Sequence, residues 1–199
     1  MLGIIISAVG SFTQALGMAK LAIDGLKIVA SAIITIGKAL GLIKPETKVD
    51  ELGDKAIQSE FKPEDFDTYE QYVKAVEEYD LDPEKSKEIS EEEKLAKGAE
   101  LSAGVTIERL GDPMGGILNV LVGNPEYTTP ERMAEFADLC IKKDGVYIPD
   151  LSKYFTGESI EIESAIEIME MLSDIECKIN PDLSKVEANE YVRNIRPDK

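Results

Sequence analysis

The first 44 residues of the chain are apolar around most of their circumference when they are drawn as an α-helix. Residues 2–19 contain no charged side chain, and large apolar residues occupy most helical positions as far as residue 40. A surface helix of a globular protein shows the opposite proportion, with a narrow apolar stripe on a polar rod. We therefore expect this segment to be enclosed by lipid or by other protein. The residues predicted to make these contacts are Ile4, Ile5, Val9, Phe12, Leu16, Leu21, Ile23, Leu26, Val29, Ile33, Ile36 and Leu40.

A narrow stripe of polar or small residues runs along the same segment at steps of three and four. The stripe consists of Gly10, Thr13, Gly17, Lys20, Asp24, Lys27, Ser31, Thr35 and Lys38. Glycines at positions 3, 10 and 17 follow at heptad spacing, which favours a close approach between helices. One straight helix would be ~65 Å long at about 1.5 Å per residue, roughly twice the width of a small domain. We therefore expect either a protruding helix or a helical hairpin that folds back near Gly17 or Gly25.

Charge divides the chain at Pro45. Residues 1–44 carry a net charge of +3, whereas the other 155 residues carry −20, for a total of −17. Proline also ends the helical pattern at this point. The sequence therefore predicts an apolar assembly or insertion segment at 1–44, a linker with a short helix at 45–66, and an acidic α-helical domain at 67–199. We expect this domain to fold without residues 1–44, and not to bind nucleic acid, because phosphate contacts need a basic surface.

The acidic remainder predicts helices separated by turns, with no alternation of β-branched residues typical of a sheet. Capping boxes at 67–70, 90–93 and 184–187 begin three of these helices, and Asp82-Pro83 and Gly111-Asp112-Pro113 are interpreted as helix stops. The predicted elements are helices at 48–59, 67–79, 90–110, 115–122, 130–143 (ended by a glycine at 145), 149–155, 160–179 and 184–195, and a tiny strand at 146–148. The fold class is therefore predicted as all-α: a long apolar N-terminal helix or helical hairpin followed by a compact acidic multi-helix domain.

The sequence contains no residue pattern that indicates catalysis. Histidine is absent, which excludes histidine-based nucleophile pairs, general bases and metal ligands. Cys140 and Cys177 lie far apart without a CxxC motif, and we interpret them as reduced, buried thiols, with a disulfide left open as the alternative. Acids at 80–91 match some positions of a calcium loop, but Lys85 stands where that loop needs glycine. We therefore predict no catalytic, cofactor-binding or metal residues, and no enzyme.

Three environments would satisfy the apolar segment: a bundle formed with copies of the chain or with other subunits, a lipid bilayer, or the groove of a chaperone or carrier. The first favours a non-enzymatic structural subunit of a larger assembly, such as a component of a virion or of a secretion or injection machine. The alternative is a membrane-inserting protein that spans or perforates a bilayer while the acidic domain stays in water. The N-terminus lacks the basic region of a secretory signal peptide. We therefore expect synthesis in the cytoplasm, with a final location in an assembly or at a membrane.

Overall fold

The structure, a computed structural model, describes residues 2–141 and 147–195. These residues form eleven α-helices and one 3₁₀ helix, with no strand among them, so the predicted all-α class is confirmed. The α-helices are α1 (Leu2–Met18), α2 (Ile23–Ala39), α3 (Val49–Ser59), α4 (Tyr69–Glu77), α5 (Pro83–Glu88), α6 (Glu91–Leu110), α7 (Pro113–Val122), α8 (Pro130–Ile141), α9 (Ile148–Thr156), α10 (Ile162–Ile179) and α11 (Lys185–Asn194), and the 3₁₀ helix is Pro63–Asp65.

Helix α6 lies at the centre of the fold. Every residue from 101 to 107 is buried, so this stretch is enclosed on all sides. Helices α1, α2, α3, α4 and α7 pack around it. Its two buried hydroxyls stay satisfied within the helix, because Ser102 donates to the carbonyl of Gly98 at 2.8 Å and Thr106 donates to that of Ser102 at 2.7 Å. A helix with small and apolar residues on every side can therefore serve as the core of the molecule.

Small residues on α6 also admit a bulky neighbour. Gly104 faces the ring of Tyr69 in α4, and a Cβ at this position would lie 2.2 Å from a ring carbon. Tyr69 and Tyr72 are fully buried and pack edge to face, with ring centroids 5.4 Å apart. The carboxylate of Glu108 accepts the backbone N–H groups of Tyr69 and Glu70 at 2.9 and 2.8 Å. The start of α4 is therefore fixed to α6 by both packing and capping.

The N-terminal segment forms two helices rather than one. Residues 19–22 separate α1 from α2, between the two glycines where a fold-back is predicted, and Lys20 there has a left-handed φ of 45°. Both helices pack on α6, and α1 also contacts α7 while α2 also contacts α8. The segment therefore lies against the rest of the chain along its length.

One hydrophobic core contains residues from both sides of Pro45, including Phe12, Ile33 and Leu101. Helix α3 comes from the segment predicted as a linker, yet it packs along α6. The loop around Pro45 is held by Glu77, whose carboxylate accepts the backbone N–H of Lys44 at 3.0 Å and the hydroxyl of Thr47 at 2.7 Å. The three predicted segments therefore share a single core.

Most predicted helices are present, with their ends shifted by a few residues. The capping boxes that begin at Ser90 and Ser184 are confirmed, with both reciprocal hydrogen bonds formed in each. For α4 the cap is Thr68 rather than Asp67, and its hydroxyl accepts the backbone N–H of Gln71 at 3.1 Å. Local capping chemistry therefore places the starts of α6 and α11 correctly and the start of α4 to within one residue.

The two predicted helix stops are present, since α4 ends before Asp82 and α6 ends before Gly111, and the proline of each also begins the next helix. Asp82 caps α5 by accepting the backbone N–H of Glu84 at 2.9 Å, and Pro83 takes the first helical position. Pro113 takes the first position of α7, although the side chain of Asp112 makes no capping hydrogen bond there. Proline is well suited to this position because the N–H that it lacks has no partner there. The predicted strand at 146–148 is wrong, because Ile148 is the first residue of α9; residue 146, the predicted helix end at 143 and the glycine stop at 145 lie outside the described residues.

Candidate functional site

Five residues of α1 form a straight seam on its exposed side. They follow one another at steps of four and three residues, so they lie along one line of the helix surface. All five are exposed and none is charged. This seam, which we call the α1 seam, consists of Gly3, Ser7, Gly10, Gln14 and Gly17.

A side chain at any of the three glycines of the α1 seam would extend into open space. A Cβ built on Gly3, Gly10 or Gly17 meets no atom within 4 Å. None of the three has the positive φ that only glycine adopts easily. Neither packing within the described residues nor backbone conformation therefore accounts for glycine at these positions.

A groove of about 470 Å³ lies beside the α1 seam, between α1 and α7. It is lined mainly by small residues, and Asp112 is the one charged residue of its lining. Asn119 of α7 reaches across it, and its amide N–H group donates to the hydroxyl of Ser11 at 3.2 Å. The amide oxygen of Asn119 has no hydrogen-bond partner among the described residues. The groove therefore extends the nearly uncharged surface of the α1 seam.

The residues predicted to contact lipid or protein fall into three groups by burial. Ile4 and Ile23 are exposed, at 61% and 39%, and Leu21 and Leu40 are half-buried. The eight that are buried within the chain are Ile5, Val9, Phe12, Leu16, Leu26, Val29, Ile33 and Ile36. Since α1 and α2 pack on α6, α7 and α8, these eight need no partner to leave water. The outer side of α1 is the part that remains open.

The predicted polar stripe faces outward on α1 and is partly covered on α2. Its exposed members are Gly10, Thr13, Gly17, Lys20 and Asp24, and its half-buried members are Lys27, Ser31, Thr35 and Lys38. Lys27 pairs with Glu91 at the start of α6, with 2.9 Å between Nζ and Oε1. The hydrogen bond and the charge of Glu91 raise the pKa of Lys27. The stripe therefore contributes an ion pair between α2 and α6.

A buried ion pair that the sequence did not reveal joins α8 to α10. Nε and Nη2 of Arg132 donate to the two carboxylate oxygens of Glu176 at 2.6 and 2.9 Å, and Nη1 donates to the carbonyl of Tyr127 at 2.5 Å. Burial alone would lower the pKa of Arg132, but the hydrogen bonds and charge of Glu176 outweigh burial and raise it. The charged guanidinium of Arg132 therefore bridges α8 and α10 through its two hydrogen bonds to Glu176.

Two tyrosine rings cover the guanidinium of Arg132. The ring centroids of Tyr127 and Tyr191 lie 4.6 and 5.4 Å from its central carbon. The same rings line a pocket of about 360 Å³ together with residues 123–126 and the end of α11. The members of this cluster are far apart in sequence and share no motif spacing, so no sequence pattern indicated them. Because Arg132 and Glu176 neutralise each other, the arrangement is suited to holding helices together rather than to moving protons.

Neither cysteine forms a disulfide. Cys140 and Cys177 are free and half-buried, so the predicted burial is only partial. Burial raises the pKa of Cys140 to about 12, and its thiol is therefore protonated and unreactive at neutral pH. No group of three or more cysteine, aspartate or glutamate side chains in residues 2–141 and 147–195 is arranged to hold a metal ion.

Among the helices that the structure describes, none has both the length and the apolar character needed to cross a membrane.

No protein-family model, curated protein or solved structure matches the chain.

Proposed function

We propose that this protein is a non-enzymatic assembly subunit that is built into a larger complex through the α1 seam. The partner at this surface is the α1 seam of a second copy of the chain. The observation that carries the proposal is the row of exposed glycines at positions 3, 10 and 17. A Cβ added to any of them would have no neighbouring atom within 4 Å.

Glycine at an exposed helix position destabilises the helix, so its presence there calls for a compensating contact. Each one costs about 1 kcal/mol relative to alanine inside a helix. Small residues in a row allow the backbones of two helices to approach closely, which strengthens van der Waals contact between them. Residues that contact a partner helix in a coiled coil follow one another at steps of three and four, and the residues of the α1 seam have this spacing. A packed partner helix therefore accounts for residues that the fold of the single chain does not use.

Charge supports a second copy at this surface. Residues 45–199 carry a net charge of −20, so most pairs of surfaces from two copies repel each other. Helix α1 carries no charge, and residues 1–44 as a whole carry +3. Two α1 seams can meet without opposing like charges. A two-fold symmetric contact is expected, because it places the same surface patch of both copies in one interface.

Sedimentation equilibrium of the intact protein without detergent tests the proposal. We expect the wild-type chain to form a discrete dimer, because a two-fold contact between two α1 seams leaves neither seam free. Gly10→Leu places a bulky side chain on the α1 seam and is expected to shift the protein toward monomer. Its helix content by far-UV circular dichroism should equal that of the wild type, because leucine is a better helix former than glycine. Ala134→Leu, at an exposed position of α8, is the matched control and should leave the oligomer intact.

A wild-type chain that remains monomeric at every concentration overturns the proposal. Co-flotation of that monomer with phospholipid vesicles would support the membrane-inserting alternative instead. Oligomers that persist in Gly10→Leu would show that a surface other than the α1 seam holds them together, which also overturns it.

A further inference from the structure

One face of helix α10 is covered at its C-terminal end and open at its N-terminal end. The residues of this face follow one another at steps of four and three: Ile162, Ile166, Met169, Ser173 and Glu176. Ser173 and Glu176 are buried, and Glu176 binds Arg132 of α8. Ile162 is 74% exposed and Ile166 is 47% exposed, while Met169 is half-buried. The face therefore continues past its contact with α8 as an apolar surface, which we call the α10 stripe (Ile162, Ile166 and Met169).

A row of carboxylates runs beside the α10 stripe. Glu163, Glu167 and Glu170 each follow a residue of the stripe by one position, so they lie along a parallel line of the helix. All three are exposed, and none forms an ion pair with a residue that the structure describes. Asp174 continues the row, but it is bound to Lys185 of α11. The open half of α10 therefore presents two exposed isoleucines and the half-buried Met169 beside three carboxylates that pair with no residue in the described part of the chain.

We propose that the α10 stripe docks an amphipathic helix of a different protein, with lysine or arginine residues along one edge of its apolar face. Such a helix would bury the two exposed isoleucines and pair its basic edge with the three glutamates. A second copy of this chain is a poor occupant, because its own α10 would oppose the same row of carboxylates. The net charge of −17 would attract a basic partner before contact.

The size of the α10 stripe indicates how tight this contact is. Three apolar residues over about two helical turns make an interface smaller than the ~1,200 Å² of a stable complex. We therefore expect micromolar binding that weakens as salt rises, because exposed ion pairs are screened. The contact is independent of the α1 seam, since it uses a different helix.

Fluorescence anisotropy with the full chain and a labelled synthetic peptide tests this inference. The probe is an 18-residue helical peptide with leucines at four-three spacing and lysines along one edge of that face. A scrambled peptide of the same composition, in which leucines and lysines no longer share an edge, is the control for charge alone. We expect the ordered peptide to bind at least about tenfold more tightly than the scrambled one.

Two variants separate the apolar and the charged parts of the surface. Ile162→Ser/Ile166→Ser should weaken binding about tenfold or more without changing the net charge, while the control Ile23→Ser/Ile28→Ser removes two exposed isoleucines of α2 and should leave binding unchanged. Glu163→Gln/Glu167→Gln should weaken binding and flatten its salt dependence. Its control is Glu78→Gln/Glu88→Gln, which removes two exposed glutamates elsewhere. Far-UV circular dichroism verifies that each variant is folded.

Equal binding of the ordered and the scrambled peptide overturns the inference, because it would show attraction by net charge alone. Equal losses in the α10 variants and their controls would also overturn it. The variant Gly10→Leu should bind the peptide as the wild type does, so failure of the proposed assembly function and failure of this inference are separate outcomes.

Discussion

Gly53 of α3 and Gly98 of α6 bring two helix backbones into direct contact. A Cβ on Gly98 would lie 1.8 Å from the carbonyl oxygen of Val49, and a Cβ on Gly53 would lie 1.8 Å from the carbonyl oxygen of Lys94. Both obstacles are backbone atoms, which cannot move aside as the end of a flexible side chain can. The spacing between α3 and α6 therefore depends on the absence of a side chain at both positions.

Gly98→Ala is expected to lower the free energy of unfolding by about 3 kcal/mol, because the added methyl group forces α3 away from α6. Urea denaturation followed by far-UV circular dichroism measures this change. Gly10→Ala is the matched control: its Cβ meets nothing within 4 Å, so alanine should raise the free energy of unfolding by up to about 1 kcal/mol. Effects of the same sign in the two variants would contradict the packing described for Gly98.

Removing one member of the Arg132–Glu176 pair should be strongly destabilising. Arg132→Met leaves the Glu176 carboxylate, which is 3% exposed, without its partner, and we expect a loss of about 3–5 kcal/mol. Adding Glu176→Met should recover much of this loss, because it removes the unpaired buried charge. A double-mutant cycle by urea denaturation checks both values.

The control for this pair is Lys87→Met, which breaks an exposed ion pair with Glu84 and should cost less than about 1 kcal/mol. If Arg132→Met costs no more than this control, the guanidinium does not stabilise the contact between α8 and α10.

Asp54 is expected to make stability depend on pH in the acid range. Its carboxylate is 4% exposed and accepts hydrogen bonds from Gln58 at 2.7 Å and from Lys94 at 2.8 Å. Burial alone would raise the pKa of Asp54, but hydrogen bonds from Lys94, Ser86 and Gln58 and the charge of Lys94 outweigh burial and lower it. The stabilisation is therefore fully present above the unfolded pKa of about 3.9, and it is lost as pH falls through the lower folded pKa.

Free energies of unfolding measured between pH 6 and pH 2.5 test this dependence. Asp54→Asn should be less stable than the wild type at pH 6, and the two should converge as the wild-type carboxyl becomes protonated. Glu88→Gln, at an exposed position, should follow the wild-type curve. Parallel curves for the wild type and Asp54→Asn would contradict a lowered pKa.

Deleting residues 1–44 should prevent the remaining chain from folding. Phe12, Val29, Ile33 and Ile36 are fully buried, and loss of each such side chain costs about 2–5 kcal/mol. Together these four losses amount to about 8–20 kcal/mol, which is as large as the about 5–15 kcal/mol that stabilise a typical domain. Near-UV circular dichroism and binding of a hydrophobic dye measure the result. A truncated chain with native tertiary signals would support the independent acidic domain expected from the sequence.

Local chemistry explains how much of the fold could be predicted from the sequence. The Ser90 and Ser184 capping boxes, the glycine-bounded turns and the apolar periodicities set most helix ends, because these interactions lie within a few residues of each other. The short helix α5 was missed for a local reason as well, because the dipeptide Asp82-Pro83 that follows the end of α4 also begins α5. Sequence reasoning therefore performed best where each helix determines its own boundaries.

Long-range packing explains what could not be predicted. The apolar circumference of residues 1–44 indicated a need for cover, but the sequence did not show that α6 supplies much of it. The residues of α6 from 98 to 104 are largely small, so they resemble a weak amphipathic helix rather than a central one. The Arg132–Glu176 pair likewise depends on two helices meeting in space. The glycine spacing of the α1 seam is visible in the sequence. Only the structure shows that the space beside each of these glycines is open.

The central position of α6 has a consequence for synthesis on the ribosome. Helix α1 ends at residue 18 and α2 at residue 39, whereas α6 begins at residue 91. At a translation rate of about 5–20 residues per second, the nascent chain displays these two apolar helices for several seconds before the helix that covers them has been made. During that interval the emerging polypeptide is at its greatest risk of aggregation, and chaperones that bind nascent chains should associate with it then.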